Sequence, residues 1–306
     1  MRTMALVITL LIATSVFAQN PRSFVATTGN DANACTPGAE CRTFTRALAV
    51  TNPGGEVIAI TSGGYGIFAI SQGATVTAAP GVYAATNVPA FGTGVQITAG
   101  VSERVVLRGL NFVMFGNSSF GIAATSFGTL SIEGCTITGG TLGSYGVSIA
   151  REAANHAAIT DTVVRSGYAG FKIASRATLL RCRAENNSNV GLLVEDGTLA
   201  DGSVTAVDFT SVANETGVLA VCSQTGHAVD LTLQRATVAD NVAGVTSQGD
   251  NNGTATVRIN ESVIVHDTNY GVTVAGTASV LSSGNNVIAA NTPTDVFGSL
   301  TSLTLQ

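Results

Sequence analysis

The chain has 306 residues and contains no tryptophan, three histidines and a single lysine, Lys172. Charged residues make up 11% of it, and the formal net charge is −5. A protein that binds the phosphate backbone of a nucleic acid needs clustered lysine and arginine, because binding is driven by the release of counterions. No such cluster is present, so the sequence predicts no nucleic-acid partner.

Motifs that hold metals or activate nucleophiles are also missing. The sequence has no CxxC step or His/Cys spacing typical of zinc sites, and no Gly-x-Ser-x-Gly elbow that exposes a serine nucleophile. It therefore predicts no metal site. Hydrophobic residues make up 45% of the chain and there are 35 glycines, a composition too apolar for disorder and suited to tightly stacked β-structure.

The N-terminus predicts a secretory signal peptide, residues 1–18. Arg2 precedes an apolar run from Ala5 to Phe17, and Ala18 supplies the small residue expected before a cleavage site. An uncleaved membrane anchor is the alternative. No later segment is long enough to cross a bilayer, so we expect a secreted mature chain with no membrane span.

Five cysteines are compatible with secretion, which permits disulfides. Cys35 and Cys41 lie close together in a polar loop, and we expect them to pair. Cys135 and Cys182 align two repeats apart, at about 10 Å, beyond the ~4.4–6.8 Å Cα reach of a disulfide. Together with Cys222 they are interpreted as buried small hydrophobic residues rather than ligands or nucleophiles.

Glycines recur along the chain at intervals of 21 to 27 residues, and each opens a Gly-apolar-x-x step such as Gly217-Val218-Leu219-Ala220. The set is Gly121, Gly146, Gly170, Gly191, Gly217, Gly244 and Gly271. A second short strand follows in each repeat, for example Thr256–Ile259, and Asn214, Asn241 and Asn269 predict a ladder of turn amides. This loose period predicts a β-solenoid.

Before the repeats, Phe44 and Leu48 share one face and Pro53 follows, which predicts a two-turn helix covering the open end of the solenoid. The sequence thus divides into the signal peptide, an N-terminal loop and helical cap over 19–56, and a solenoid over 57–306. We expect a single all-β domain beyond the signal peptide.

The repeats resemble the right-handed parallel β-helix of the pectin-lyase-like superfamily over roughly Val57 to Ala290. At ~24 residues a coil, this implies about ten coils. Residues 29–31, the two N-terminal cysteines and Pro53–Val57 are similar to the start of many secreted bacterial β-helix proteins. The resemblance implies the fold but no reaction, because this fold supports both carbohydrate-active enzymes and non-catalytic surface proteins.

Aligning the second strands gives a column whose last five members are charged and alternate in sign, each 9 or 10 residues before the next glycine. The column reads Gly134, Asp161, Arg181, Asp208, Arg235 and Glu261. At ~4.8 Å per coil these residues should form cross-coil ion pairs that stabilise an exposed sheet face. A polar strip that binds sugar is the alternative.

The same alignment places most of the length variation in one turn, and therefore predicts a wall of loops along one edge. The loops are Arg151–His156, Glu195–Ser203, Cys222–Ala228 and Gln248–Thr254. Their candidate binding residues are His156, Asp196, Asp201, His227 and Asp250, because variable loops on a rigid scaffold commonly bind ligands. Tolerated insertions are the alternative. His156 and His227 fall three coils apart, about 14 Å, which is too far to share a metal.

Two reactions can be tested against the residues. The polygalacturonase-like relatives carry an adjacent Asp pair, a Gly-His-Gly step and an Arg-x-Lys step; the chain has no Asp-Asp pair, so that activity is disfavoured.

A polysaccharide lyase needs a base and a cation that neutralises the substrate carboxylate. Lys172 is the candidate base, with Arg151 and Arg176 for the substrate acid. Any Ca²⁺ would be held by Glu195 and Asp196, under this alternative only.

The sequence as a whole favours a secreted β-helix repeat protein with a structural or polysaccharide-binding role and no secure catalytic site. The alternative is a divergent polysaccharide lyase or glycoside hydrolase that acts on uronic-acid-containing glycans, with Lys172, Arg151 and His227 as catalytic candidates. A coat or adhesion protein is a third interpretation.

Overall fold

The computed structural model describes residues 19–150, 156–197, 201–250 and 252–303. The predicted signal peptide lies outside these residues. Within them, strands dominate and one short helix is present. No helix in these ranges is long and apolar enough to cross a membrane.

The N-terminal half contains the helix and the first sixteen strands. In chain order they are β1 (Asn20–Val25), α1 (Phe44–Val50), β2 (Thr51–Ala59), β3 (Gly63–Gly64), β4 (Phe68–Ile70), β5 (Ala74–Ala78), β6 (Ala84–Val88), β7 (Thr93–Thr98), β8 (Arg104–Arg108), β9 (Leu110–Met114), β10 (Phe120–Ser126), β11 (Thr129–Glu133), β12 (Thr136–Gly139), β13 (Tyr145–Ile149), β14 (His156–Thr160), β15 (Val163–Arg165) and β16 (Ala169–Ile173).

The C-terminal half continues the same pattern with sixteen more strands. They are β17 (Arg176–Leu180), β18 (Arg183–Glu185), β19 (Val190–Glu195), β20 (Gly202–Val207), β21 (Thr210–Val212), β22 (Thr216–Cys222), β23 (Ala228–Gln234), β24 (Thr237–Ala239), β25 (Ala243–Gly249), β26 (Thr254–Asn260), β27 (Val263–Val265), β28 (Val272–Gly276), β29 (Ser279–Ser282), β30 (Val287–Ala289), β31 (Val296–Phe297) and β32 (Leu300–Ser302).

From β2 to β31 the strands recur in threes, with one strand of each coil in each of three parallel sheets. Sheet I runs β1, β2, β5, β8 and so on to β32; sheet II runs from β3 to β30; sheet III runs from β4 to β31. Eight coils, β5 to β28, have at least three residues in every strand, whereas β3 and β31 have two. The regular solenoid therefore has about eight turns, slightly fewer than the about ten coils expected.

Side-chain alternation fills the interior of the solenoid with apolar residues. In β26, for example, Ala255, Val257 and Ile259 are fully buried, while the residues between them face outward. Equivalent residues of successive coils stack in register and form one continuous core. The sequence predicted the strands of sheets I and III but not the short strands of sheet II.

The recurring glycines are required by space. A Cβ at Gly121 would lie 2.6 Å from the carbonyl oxygen of Gly146 in the next coil and 2.7 Å from Cγ2 of Ile137 in sheet II. Real Cβ atoms do not approach other atoms so closely, so a side chain at this position would push coils apart. The regular spacing of the glycines thus marks the positions at which sheet III has no room for a side chain between neighbouring coils.

The N-terminal end is closed by α1, as the sequence predicted. Thr43 caps the helix, because its side chain accepts a hydrogen bond from the Arg46 amide at 3.1 Å, and Phe44 is buried. Cys35 and Cys41 form the expected disulfide, and the cysteines of the repeats are free and buried. The 19–56 segment also contains β1, an additional strand that extends sheet I.

A ladder of amides runs along the turns between sheets II and III. Asn187, Asn214, Asn241 and Asn291 are buried there, one per coil, and Asp267 takes the fourth of these five positions. The sequence placed Asn269 in this column, which was wrong. Asn214 and Asn241 are structural, as predicted.

Candidate functional site

The charged column predicted from the sequence forms ion pairs, but in a turn and not on a sheet face. Its members join sheet I to sheet II and all have a left-handed backbone, with φ of 51° at Asp161 and 52° at Arg181. Arg181 donates two hydrogen bonds to Asp161, at 2.7 and 2.8 Å. Arg235 pairs in the same way with Asp208, at 2.8 and 3.2 Å.

These contacts shift the titration of the charged groups. The hydrogen bond from Arg181 lowers the pKa of the Asp161 carboxyl, and the bond from Arg235 lowers that of Asp208. Each arginine thus forms an ion pair with a carboxylate of the preceding coil. The alternating charges of the column form two separate pairs and not a continuous ladder. Arginines so paired offer few free donors to a sugar.

Where the structure describes the whole connection from sheet III to sheet I, its length varies from two residues, between β16 and β17, to five, between β22 and β23. Two of the candidate binding carboxylates in these loops serve the backbone of the next coil. Asp196 is buried and accepts hydrogen bonds from the amides of Ser223 and Gln224, both at 2.9 Å. Asp201 accepts from the Ala228 amide at 2.9 Å. These two aspartates therefore hold neighbouring loops together.

The remaining loop candidates do not converge on one point. His156 is exposed at the start of β14, beside Arg176 of β17 in register, and its Nε2 lies 3.1 Å from Oγ1 of Thr178. His227 lies in a tight turn, where its amide donates to the Gln224 carbonyl.

Asp250 is exposed in the adjacent loop, and it accepts a hydrogen bond from Nε2 of Gln248 at 3.0 Å. Arg151, the other predicted catalytic candidate, lies outside the described residues.

Lys172 is the centre of a more concentrated cluster. As strand alternation predicted, its side chain faces outward from β16 while Phe171 and Ile173 are fully buried. Its Nζ lies 3.0 Å from Oε1 of Glu195, in the next coil. It also lies 5.1 Å from the centre of the Tyr145 ring, in the preceding coil. The lysine thus bridges an anion and an aromatic face across three coils.

A second aromatic ring extends this cluster toward the N-terminus. Phe120 stands beside Tyr145 in sheet III, with ring centres 5.9 Å apart and planes 16° from parallel. We call Phe120, Tyr145, Lys172 and Glu195 the Lys172 cluster. Sequence reasoning missed its two rings, although both stand directly before a recurring glycine, Gly121 or Gly146, and so had a detectable position.

Exposed apolar side chains adjoin the Lys172 cluster in the turns between sheets II and III. Phe91, Phe115 and Leu142, on three successive coils, are 75%, 56% and 69% exposed. The Phe120 amide donates to the Gly92 carbonyl, which places the first of these turns directly beside the aromatic stack. The turns that precede β7, β10 and β13 therefore present exposed apolar side chains.

The arrangement of Lys172 bears on the two reaction alternatives. A lysine that acts as a base must lose a proton, whereas a carboxylate and a ring face both attract an ammonium. The Glu195 carboxylate is occupied by Lys172 and Asp196 by backbone amides. In the parts of the chain that the structure describes, no group of three or more His, Cys, Asp or Glu residues could hold a metal ion.

Comparisons with known proteins agree with this architecture. The family model described as "Right handed beta helix region" matches residues 57–208. A solved structure titled "Rhamnogalacturonan lyase" is similar with a TM-score of 0.61 and 13% identity, over 81% of this chain and 75% of that one. The pectate lyase Pel9A is similar with a TM-score of 0.54 and 15% identity, over 94% and 80%.

No curated protein matches the chain by sequence. At these identities the structural likeness shows the fold. With its three parallel sheets, its family match and these neighbours, the chain is a right-handed parallel β-helix protein with the pectin-lyase-like fold.

Proposed function

We propose that the chain is a secreted polysaccharide-binding β-helix protein whose ligand lies on the outer face of sheet III, over the Lys172 cluster. The observation that carries the proposal is the near-parallel pair of rings, Phe120 and Tyr145, beside an outward-facing ammonium. Tyrosine presents an apolar ring edge and a hydroxyl that can donate to a sugar, and an ammonium donates hydrogen bonds to sugar hydroxyls and carboxylates.

The geometry of the surface suits an extended ligand. Successive strands of sheet III present outward side chains at each ~4.8 Å step of the solenoid, so a chain laid along the axis would meet one row of side chains per coil. Ser148 and Leu193 flank Lys172 in register and complete a row of mixed polarity. The two structural neighbours are, by their names, lyases that act on polysaccharides, which supports a ligand of this class.

Binding without cleavage is the function that the contacts favour. Lys172 pairs with Glu195 at 3.0 Å, and its remaining N–H groups can donate hydrogen bonds to a ligand. The lyase alternative requires this amine as a base, with a cation nearby. We keep it as an outcome of the test.

The test uses the chain from Gln19 onward with a panel of neutral and uronic-acid polysaccharides, with and without calcium. Retention of the protein and formation of unsaturated sugar products are followed together. We expect retention without products. The Tyr145→Ala variant should lose about tenfold or more in affinity, equivalent to ~1.4 kcal/mol.

Tyr83→Ala is the control, because Tyr83 is an exposed tyrosine that lies between β5 and β6, away from the Lys172 cluster. Equal losses for the two tyrosine variants, or no retention on any polysaccharide, would contradict the proposal. Calcium-dependent unsaturated products that vanish in Lys172→Ala would instead establish a lyase.

A further inference from the structure

The amide ladder follows one rule at its asparagine rungs. The backbone amide and the side-chain Nδ2 of one rung both donate to the Oδ1 of the next. Asn214 does so to Asn241, at 2.9 and 3.1 Å, and Asn187 does so to Asn214, at 3.0 and 2.9 Å. Each rung is thus a donor toward the C-terminus and an acceptor toward the N-terminus.

The Nδ2 of three asparagine rungs has a second acceptor in sheet II, on the coil before it. Asn214 donates to the carbonyl of Ala184 at 3.1 Å, and Asn241 donates to that of Ser211 at 3.2 Å. Asn291 donates to the Ile264 carbonyl at 3.1 Å. In sheet II these acceptors stand in one register column, with Val238 between Ser211 and Ile264.

Asp267 replaces an asparagine in this ladder and keeps half of the pattern. Its Oδ1 accepts from the backbone amide and from Nδ2 of Asn241, at 2.9 and 3.0 Å. Its own amide donates to Oδ1 of Asn291 at 2.9 Å. Asp267 is 1% exposed, and its Oδ2 has no hydrogen-bond partner among the described residues.

The recurring glycines show where that Oδ2 lies. A Cβ built on Gly217 would lie 2.9 Å from Nδ2 of Asn241. A Cβ built on the next glycine, Gly244, would meet Oδ2 of Asp267 at close range. The unpaired oxygen thus occupies the place of the donor nitrogen in the other coils, where its neighbours are acceptors.

We propose that Asp267 takes up a proton in the folded protein at mildly acidic pH and that its Oδ2–H then takes the place of a ladder Nδ2–H, donating to the Val238 carbonyl. The ladder is then complete only while this carboxyl is neutral. When the proton leaves, a buried negative charge faces oxygen acceptors, and the coils on either side are held less firmly. Asp267 is therefore a pH-sensitive rung of the solenoid.

The electrostatic surroundings agree with the geometry. Burial raises the pKa of Asp267 from 3.8 to about 6, although the hydrogen bonds from Asn241 oppose the shift. The Asp240 carboxylate adds to the rise and His266 counters it. On the next coil, Asp295 faces Asn291 and adds a further acceptor.

The sign of the effect follows from this shift. A carboxyl whose pKa is higher in the folded than in the unfolded protein binds its proton more tightly when folded. Its stabilising contribution is complete below about pH 4 and is lost as the pH rises through about 6.

The experiment compares the chain from Gln19 onward with Asp267→Asn, which supplies a permanent donor, by thermal and urea unfolding between pH 4 and pH 8. The variant should melt several degrees above wild type at pH 8 and close to it at pH 4. Asn241→Asp should melt below wild type at pH 8, because it introduces a second buried carboxyl that loses stability as the pH rises above 6. Asp240 is exposed and lies next to Asn241, in the turn between β24 and β25. Asp240→Asn should keep most of the wild-type dependence of stability on pH.

Two results would overturn the proposal. One is an Asp267→Asn variant whose unfolding midpoint falls with pH as steeply as that of wild type. The other is an Asn241→Asp variant that is equally destabilised at pH 4 and pH 8, since this would show that the ladder does not accept a neutral carboxyl as a donor. The glycan-binding proposal does not enter either measurement.

Discussion

The Arg181 guanidinium lies edge-on to the Asp161 carboxylate of the preceding coil, with two bonds of 2.7 and 2.8 Å and about half of each side chain exposed. Exposed pairs of this kind stabilise little, because water and salt screen them. We expect Arg181→Gln to lower Tm by no more than about 1–2 °C, with the difference vanishing at high salt. Thermal unfolding of Arg181→Gln, Asp161→Asn and the double variant at two salt concentrations measures it. A loss that persists in high salt would indicate a role other than the ion pair.

The glycines of sheet III should be far less tolerant than this surface ladder. In Gly121→Ala the new methyl would approach the Gly146 carbonyl, which is backbone and cannot move without its coil. We expect a loss of about 1–3 kcal/mol in the free energy of unfolding, measured in urea.

Gly64→Ala is the matched control for Gly121→Ala. A Cβ on Gly64 meets no atom within 4 Å, so this variant should unfold like wild type. If Gly121→Ala and Gly64→Ala had the same free energy of unfolding, the coils would pack less tightly at Gly121 than these contacts imply.

The glycine period and the β-branched strands were sufficient to predict a parallel β-helix, because each repeat must stack on the next. The strands of sheet II escaped prediction for a physical reason. Most are three residues long, such as Val163–Arg165, too short to show an alternating pattern. Likewise Asp267 was overlooked in the amide ladder, since Asn269 stands two residues away and matches the expected residue type.

The candidate site was only partly predictable. The outward direction of Lys172 follows from its place in one strand. Its contacts come from Tyr145 and Glu195, which lie on other coils and at offset positions along their strands. The alignment of repeats in a sequence shows which residues are directly opposite each other on neighbouring strands. It does not show contacts between offset residues, because these depend on side-chain conformation.

The N-terminal cap should respond to pH in the opposite sense to Asp267. Burial disfavours the Asp31 carboxylate, but hydrogen bonds from the Thr43 hydroxyl and from the amides of Arg42 and Thr43 outweigh it and lower its pKa below 3.8. The stabilising contribution of a carboxyl with a lowered folded-state pKa is present above about pH 4 and is lost below it.

Asp31→Asn should therefore destabilise the protein at pH 6 more than at pH 3. Urea unfolding at the two pH values measures this. Asp250→Asn, in a loop far along the chain, is the control and should show no such difference. A constant loss at both pH values would mean that Asp31 acts through packing and not through its charge.

A change at the Glu195–Lys172 pair tests the role of charge in the proposed glycan site separately from the role of the two aromatic rings. In Glu195→Gln the ammonium loses its anionic partner at 3.0 Å, while the Phe120–Tyr145 stack is untouched. We expect a several-fold gain in affinity for uronic-acid polysaccharides, with no change for neutral ones, and a gain that shrinks as salt is raised. Retention measured at two salt concentrations on matched acidic and neutral polysaccharides tests this. Lys172→Gln should give the reverse preference, and equal changes on both polysaccharide classes would remove Lys172 from the binding surface.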